Sequence, residues 1–311
     1  MATFARIEDT ASSPESEAAD AYDSVGECYR TYADGEGCEL FDFSSRYSFA
    51  DREIWQRIDA TLVALRASGQ TIVKVVDAGC GPGTWLLRVV LRARALGFQR
   101  IDAEGFDISS AMIDLARDGA RSSTSEIPEA RFTVCDIEQG LAAYRDAPAD
   151  LVLCLYGVLN HLPAQRHEAV ATQLARATAG SLLVTARTIG SMPSIFVAGV
   201  EDAVDFRRDH QRDRLCVALK DGRHIDFGMH LFSASELKSL FALEGEIAEL
   251  VGLDLFHGRF APDARWNPPM MADQDFNDAL VRLEHLCACD MRFIDRAAHV
   301  LLHLKRGELR V

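Results

Sequence analysis

The stretch VVDAGCGPGTW, Val75 to Trp85, runs from branched apolar residues through an acid into three glycines on alternate positions. Nothing else in the chain restricts the fold as much. VKVVDAG has the make-up of a buried strand, and TWLLRVVLRA carries the apolar spacing of a helix. The glycines between them let the main chain bend sharply and lie flat against a neighbour, because no Cβ intervenes. A strand that feeds a helix through so bare a turn opens a parallel α/β unit, and its carboxyl end borders the crevice where such sheets bind ligands.

The residues that follow repeat the unit. RIDAEGFD precedes a predicted helix from Ser110 to Arg117, ARFTVCD forms a third strand, ADLVLCLY precedes a helix from Pro163 to Ala177, and SLLVTAR forms a fifth strand. This alternation implies an α/β fold with a parallel sheet and helices on both faces. After Arg187 it breaks. TIGSMPSIFVAG reads as loop, and RLCVALKDGRHIDFGMHLF as a β-hairpin turning at Asp221-Gly222. SASELKSLFALEG offers an N-cap serine, a helix and a glycine stop. IAELVGLDLF and AAHVLLHLKR supply two last strands, with a helix from Gln274 to Leu286 between them, approached by the irregular HGRFAPDARWNPP. Residues 1–20 lack periodicity and read as a flexible tail. Residues 21–70 read as a helical lid with clustered aromatics and an apolar stripe of Ile54, Ile58, Leu62 and Leu65. The remaining units are a core over 71–190, a hairpin-and-helix insertion over 191–246, and the last two strands with their helical insertion over 247–311.

Three acids stand at successive strand ends. Asp77 leads the glycine turn. A carboxylate at Asp107 can accept both hydroxyls of a ribose, with Ile108 and Met112 offering an apolar surface to a purine. Asp136 can accept from an exocyclic amine while Ile137 covers the ring. Each has an ordinary alternative: a tightened turn, a solvated or helix-capping acid, a core isoleucine. Those alternatives do not explain the order. A dinucleotide site wants G-x-G-x-x-G, and the third glycine position is Thr84, which argues against a NAD-dependent oxidoreductase.

VVDAGCGPG, GFDISSAMIDLA, VCDIEQGL and DLVLCLYGVLNHLP, in this order and spacing, make the chain resemble the class I S-adenosylmethionine-dependent methyltransferases of small molecules over roughly Val73 to Arg187. The resemblance implies a Rossmann-like sheet of order 3-2-1-4-5-7-6 with its last strand antiparallel. It implies a methionine site at Asp77, Gly79 and Gly81, with Cys80 and Gly83 completing the turn, ribose on Asp107, and adenine by Asp136 and Ile137. In similar enzymes an N-terminal lid folds over the cofactor, which implies a wall from Tyr22, Tyr29 and Tyr32 and an ion pair between Arg46 and the methionine carboxylate. The segment after the fifth strand covers the acceptor, which makes His230, His224 and Arg187 candidate contacts.

Methyl transfer from a sulfonium is an in-line displacement, so the protein must align the acceptor and exclude water; a base helps only where the acceptor loses a proton. LYGVLNHLP sets Leu155, Tyr156, Asn160 and His161 around the expected methyl position. His161 is the candidate base, with Asn160 and Tyr156 orienting the acceptor; the alternatives are a backbone-bonded histidine and a packed tyrosine. His257 reads as a loop residue. Relatives that cyclise or cleave the methionine chain, and a non-catalytic partner that keeps the cofactor site, are the rival readings.

Lys plus Arg number 33 against 47 for Asp plus Glu, and the resulting charge of -14 repels polyanions. The expected partner is therefore a small-molecule acceptor rather than nucleic acid. No basic leader or bilayer-length apolar run is present, so a cytoplasmic protein without membrane contact is expected, with a homodimer as the oligomeric option. The eight cysteines are scattered and read as reduced thiols. Cys287 and Cys289 form a C-x-C without finger-spaced partners, so no metal is expected.

Overall fold

The computed structural model of the chain describes residues 14–25, 40–41, 43, 47–122, 127–191, 203–209, 211–220, 222, 224–260 and 274–306. Strand β1 (Ile72–Ala78) leads into helix α3 (Thr84–Ala95), preceded in the chain by α1 (Pro14–Val25) and α2 (Ser48–Ala67). The unit recurs as β2 (Arg100–Asp107) with α4 (Ser110–Ser122), and β3 (Ala130–Val134) with the short α5 (Ile137–Ala142). Strand β4 (Ala149–Cys154) follows, then a 3-10 turn over Val158–His161, α6 (Ala164–Arg176) and β5 (Thr178–Arg187).

Five of these strands pair in parallel, in the order β3-β2-β1-β4-β5. The sheet continues through β10 (His299–Lys305) to β9 (Glu246–Leu253), and β10 runs antiparallel to both neighbours. Since β9 and β10 are the sixth and seventh strands of this sheet, the order is the 3-2-1-4-5-7-6 implied by the sequence resemblance.

Alternate residues of each central strand serve opposite faces. Val73, Val75, Leu151 and Leu153 pack against α2 and α3, where Ile54, Ile58, Leu62 and Leu86 are fully buried and Leu65 partly so. Val76, Val152 and Cys154 pack against α6 and α7 (Ala234–Phe241) through Val170, Leu174, Leu237 and Phe241. Coverage on both faces is why these strands read as continuous apolar runs. Each fully buried Val or Leu contributes roughly 1.5–3 kcal/mol before the entropy of ordering is set against it. The expected serine cap is present: Ser233 accepts from the Glu236 N–H while the Glu236 side chain accepts from the Ser233 N–H.

Two elements depart from the sequence reading. Helix α1 occupies residues that were expected to belong partly to a tail ending at residue 20; PESEAADAYDSV has no continuous apolar stripe, and polar contacts to other elements hold it instead. The predicted hairpin is β7 (Arg214–Leu219) with β8 (His224–Gly228), but a third strand, β6 (Ala203–Asp209), extends it into an antiparallel sheet. AVDFRRD is too charged to announce a strand, and pairing with β7 makes it one. Gly222 takes a positive φ of 86° in the hairpin turn, while Asp221 lies outside the described residues. Short helices α8 (His257–Phe260) and α10 (Met291–Ile294) flank α9 (Gln274–Ala288), the helix expected from residue 274. Among the described residues no helix is long and apolar enough to cross a membrane, and Cys80, Cys135, Cys154, Cys216, Cys287 and Cys289 are free thiols.

Candidate active site

A cavity of about 760 Å³, counted with its open mouth, lies at the carboxyl ends of β1, β2 and β4. From the sequence candidates it collects Gly79, Gly81, Asp107, Ile108, Met112, Asp136, Ile137, Leu155, Tyr156 and His161. Tyr22 joins them from α1. Its lining, apolar with a few convergent polar groups, is of the kind that binds small molecules.

The glycine turn works by shape. Gly79 has φ +76°, and a Cβ there would collide with the Val158 side chain. The turn's N–H groups serve the protein rather than a ligand: those of Gly79 and Cys80 both donate to the Phe106 carbonyl, at 2.8 and 3.0 Å, and that of Gly81 donates to Asp107 Oδ2 at 2.9 Å. Gly83 and Cys80 also leave the ligand set. A Cβ on Gly83 would meet the Phe132 ring at 2.7 Å and Ala116 at 2.8 Å, so this glycine permits helix-to-strand packing, and buried Cys80 packs beside Gly105.

Asp107 ends β2 with Oδ1 accepting from the Ser109 N–H at 2.9 Å, which leaves lone pairs for hydroxyl donors. Burial pushes its carboxyl up, against the pull of the N–H groups of Ser109 and Gly81. Asp77, 2 % exposed, sits below the turn rather than on the cavity wall. Burial first, and then the Asp107 charge, push it up to about 8, and its Oδ2 has no partner among the described residues. A buried carboxyl of this kind is suited to a cationic ligand.

Asp136 lines the cavity but is less available than its position in the sequence implies. It caps α5 by accepting from the Glu138 N–H at 2.9 Å, and Arg166 Nη2 reaches its two oxygens at 3.0 and 3.1 Å. Arg166 also binds Glu138 at 3.0 Å, so this edge of the cavity is an ion-pair clamp. Spacing did not reveal it, since Arg166 belongs to the following helix.

Around the fourth strand the candidates separate. His161 Nδ1 lies 3.3 Å from the Gly228 carbonyl and Nε2 2.9 Å from the Tyr22 hydroxyl. A carbonyl only accepts, so Nδ1 carries the proton and the Nε2 lone pair faces Tyr22. Burial pushes His161 down to about 4, which keeps the ring neutral and basic in form at pH 7. Asn160 does not orient an acceptor. Its Nδ2 donates to the carbonyls of Arg187 and His230, at 3.1 and 2.5 Å, and its Oδ1 accepts from the Arg187 N–H at 2.9 Å. This side chain staples β5 to the segment after the hairpin, and it is fully buried. Tyr156 lines the cavity with its ring, but its hydroxyl donates to Asp51 in α2, away from the expected acceptor.

His230 is also elsewhere. Its Nδ1 is 2.7 Å from Asp213 and its Nε2 2.8 Å from Glu236, and its ring packs on Phe232 and His167. The residue secures the hairpin to α7, outside the cavity lining. His167, His230 and Glu236 bring ligand-type atoms within 4.8 Å of one another. His224 is exposed on β8. His257, expected in a loop, begins α8 and is 7 % exposed. Tyr29, Tyr32 and Arg46 lie outside the described residues.

Ala18, Phe106, Cys135, Val158 and Leu162 complete the lining without having been singled out. Cys135 and Leu162 each adjoin a motif residue. Ala18 stands four residues before Tyr22, a helical spacing that two points cannot establish.

Residues 75–180 match the protein family described as "Methyltransferase domain". Among solved structures, magnesium protoporphyrin IX methyltransferase from Synechocystis PCC 6803 with bound SAM is 17% identical, with 96% of this chain and 100% of that chain covered and a TM-score of 0.52. Mycolic acid cyclopropane synthase CmaA1, complexed with SAH and CTAB, is 14% identical over 96% of this chain and 99% of that chain, with a TM-score of 0.51. At these identities the likeness is one of fold. No curated protein matches this chain.

Proposed function

We propose that this chain, whose residues 75–180 form a methyltransferase domain on the class I S-adenosylmethionine-dependent sheet, transfers a methyl group from S-adenosylmethionine to a small-molecule acceptor. One observation carries the reading: a single cavity gathers Gly79 and Gly81 from the first strand end, Asp107, Ile108 and Met112 from the second, and Asp136 and Ile137 from the third.

The residues present fit the cofactor. S-adenosylmethionine, when bound, supplies a methyl group made electrophilic by a sulfonium. Asp107 holds the ribose hydroxyls with its remaining lone pairs. Ile108, Met112 and Ile137 take the adenine, and Arg166 holds Asp136 fixed at its edge. Gly79 and Gly81 let the main chain touch the methionine half, and the unpartnered oxygen of Asp77 lies beneath them, able to balance positive charge once a cationic ligand draws off its proton.

His161 and Tyr22 face the cavity from the loop after β4 and from α1. The neutral imidazole accepts a proton through the Tyr22 hydroxyl where the acceptor must lose one, and α1 roofs the site against water. The charge of -14 makes a polyanionic partner unfavourable, in keeping with a small acceptor. Helix α1 covers the cofactor through Ala18 and Tyr22, and the small sheet meets the acceptor side through the Gly228 carbonyl at His161.

Calorimetry with S-adenosylhomocysteine tests the cofactor half directly. Saturable heat is expected, abolished or strongly weakened by Asp107→Ala; no heat with the intact chain removes the proposal.

A further inference from the structure

We infer that His167, His230 and Glu236 form a binding site for one divalent transition metal ion of the zinc type, held by two imidazoles and a carboxylate and completed by water. The site lies outside the cavity and does not rest on the methyl-transfer reading.

Three separate elements supply the ligands, which is why no spacing in the sequence announces them. His167 belongs to α6, His230 to the segment after β8, and Glu236 to the first turn of α7. Each offers a ligand-type atom, and the three atoms lie within 4.8 Å of one another. Atoms bound to one zinc ion at about 2.0–2.2 Å stand roughly 3.4 Å apart in a tetrahedron, so a small closure completes the set. His230 Nε2 and Glu236 Oε1 are already 2.8 Å apart, and the Glu236 side chain, 40 % exposed, has solvent on one side in which to turn.

The protons are placed as metal ligation needs them. Nε2 of His167 faces the carbonyls of Leu159 and Leu162 at 3.1 and 3.0 Å, and carbonyls only accept, so this nitrogen carries the proton. The lone pair is left on Nδ1, which has no hydrogen-bond partner among the described residues. His230 stands between two acids, with Nδ1 at 2.7 Å from Asp213 and Nε2 at 2.8 Å from Glu236. Asp213 holds the Nδ1 proton as the outer partner of a metal-bound histidine does, and an ion takes the place of the Nε2 proton, which goes to solvent. Both rings pack on fully buried Phe232, at 4.9 and 4.6 Å between centroids, so they have little freedom left to lose when an ion arrives.

This donor set is selective. Two imidazoles with one carboxylate suit zinc, whereas magnesium and calcium take oxygen ligands. None of the three residues lines the cavity, so the ion serves as a clasp between α6, α7 and the end of the small sheet rather than as a Lewis acid toward substrate. Leu159 and Leu162, whose carbonyls His167 holds, flank Asn160 and His161, and an ion on His167 thereby braces the loop behind the cavity wall.

The full chain, stripped of metal by chelation, should be titrated by calorimetry with zinc chloride, and with magnesium chloride as the hard-cation control. One equivalent of zinc should bind with a Kd of about 1 μM or below, and magnesium at least about 100-fold more weakly. Glu236→Gln keeps a side chain able to close the capping box but removes the charged ligand, and it should weaken zinc by at least about tenfold; His230→Gln should do the same. Zinc should raise the melting temperature of the wild type and leave both variants unmoved at the same concentration. Cobalt(II) should give the wild type, and neither variant, the visible absorption of a four-coordinate ion. No binding of zinc, a preference for magnesium, or equal zinc affinity in the variants, as ions seated on Cys287 and Cys289 would give, overturns the inference and leaves His230 as an imidazolium between two acids. The methyl-transfer reading is decided separately, by S-adenosylhomocysteine binding.

Discussion

The Tyr22 hydroxyl lies 2.9 Å from His161 Nε2, across 139 residues of sequence. The contact joins a helix outside the matched residues 75–180 to the loop after β4, and both residues face the cavity. His161→Ala should lower turnover by about 100-fold, the scale of general-base catalysis, with S-adenosylhomocysteine affinity held within about twofold. Tyr22→Phe keeps the ring and removes the hydroxyl, and about a tenfold loss is expected. Single-turnover kinetics separate these from binding defects. Wild-type rates in both variants would exclude the pair from the chemistry.

Asp107 has two tasks, since its carboxylate holds the Gly81 and Ser109 N–H groups and presents its remaining lone pairs to the cavity. Asp107→Ala leaves buried donors unmet and deletes the ribose acceptor, losses of about 1–3 kcal/mol apiece. Affinity for S-adenosylhomocysteine should fall by at least about 30-fold, as read by calorimetry. Asp107→Asn keeps one oxygen and should fall in between.

Asp77 makes a prediction of opposite sign for stability. Its folded pKa, about 8, exceeds the unfolded value of 3.8, so folding favours the protonated form. That contribution is complete below the unfolded pKa and is lost as pH rises through 8. Asp77→Asn should therefore melt above the wild type at pH 8, by about 2 °C or more, with the gap closing toward pH 4. The same variant should bind S-adenosylmethionine more weakly. A wild-type melting profile across this range would show that Asp77 is not the strained acid described.

His161 and His299 run the other way. Burial pushes them down to about 4 and about 3 from 6.5, so the folded state favours the neutral rings. Their contribution is complete above 6.5 and lost as pH falls through 4 and then 3, on the order of 3–5 kcal/mol each. His299→Phe, in a site where Tyr47 and Tyr156 stand edge-on at 5.2 and 5.3 Å, should flatten the loss of stability between pH 6.5 and 4. Thermal melts at half-unit steps of pH read the slope, and an unchanged slope would contradict the assignment.

The core was legible because its strands are covered on both faces and its helices on one, which leaves distinct apolar patterns at each. Much of the cavity lining was legible for a related reason: residues at successive ends of parallel strands meet in space, as Gly79, Asp107 and Asp136 do. Asn160 and His230 were misjudged because an amide or imidazole suits a substrate or a carbonyl equally well. Their actual partners, Arg187 and Asp213 among them, are set by packing between elements that no spacing connects. Strand β6 escaped notice because it is a strand only by virtue of β7, and α1 because its acids bind other elements rather than forming an apolar face.

Helix α1 is pinned at three corners: Glu17 to Arg214 at 2.7 Å, Tyr22 to His161, and Asp23 to the Ser109 hydroxyl and the Ala111 N–H. These clasps belong to three different parts of the molecule, so the helix can swing only by breaking them one after another. Departure of the spent nucleoside then becomes a gated event with its own rate, hastened by salt through the Glu17 clasp.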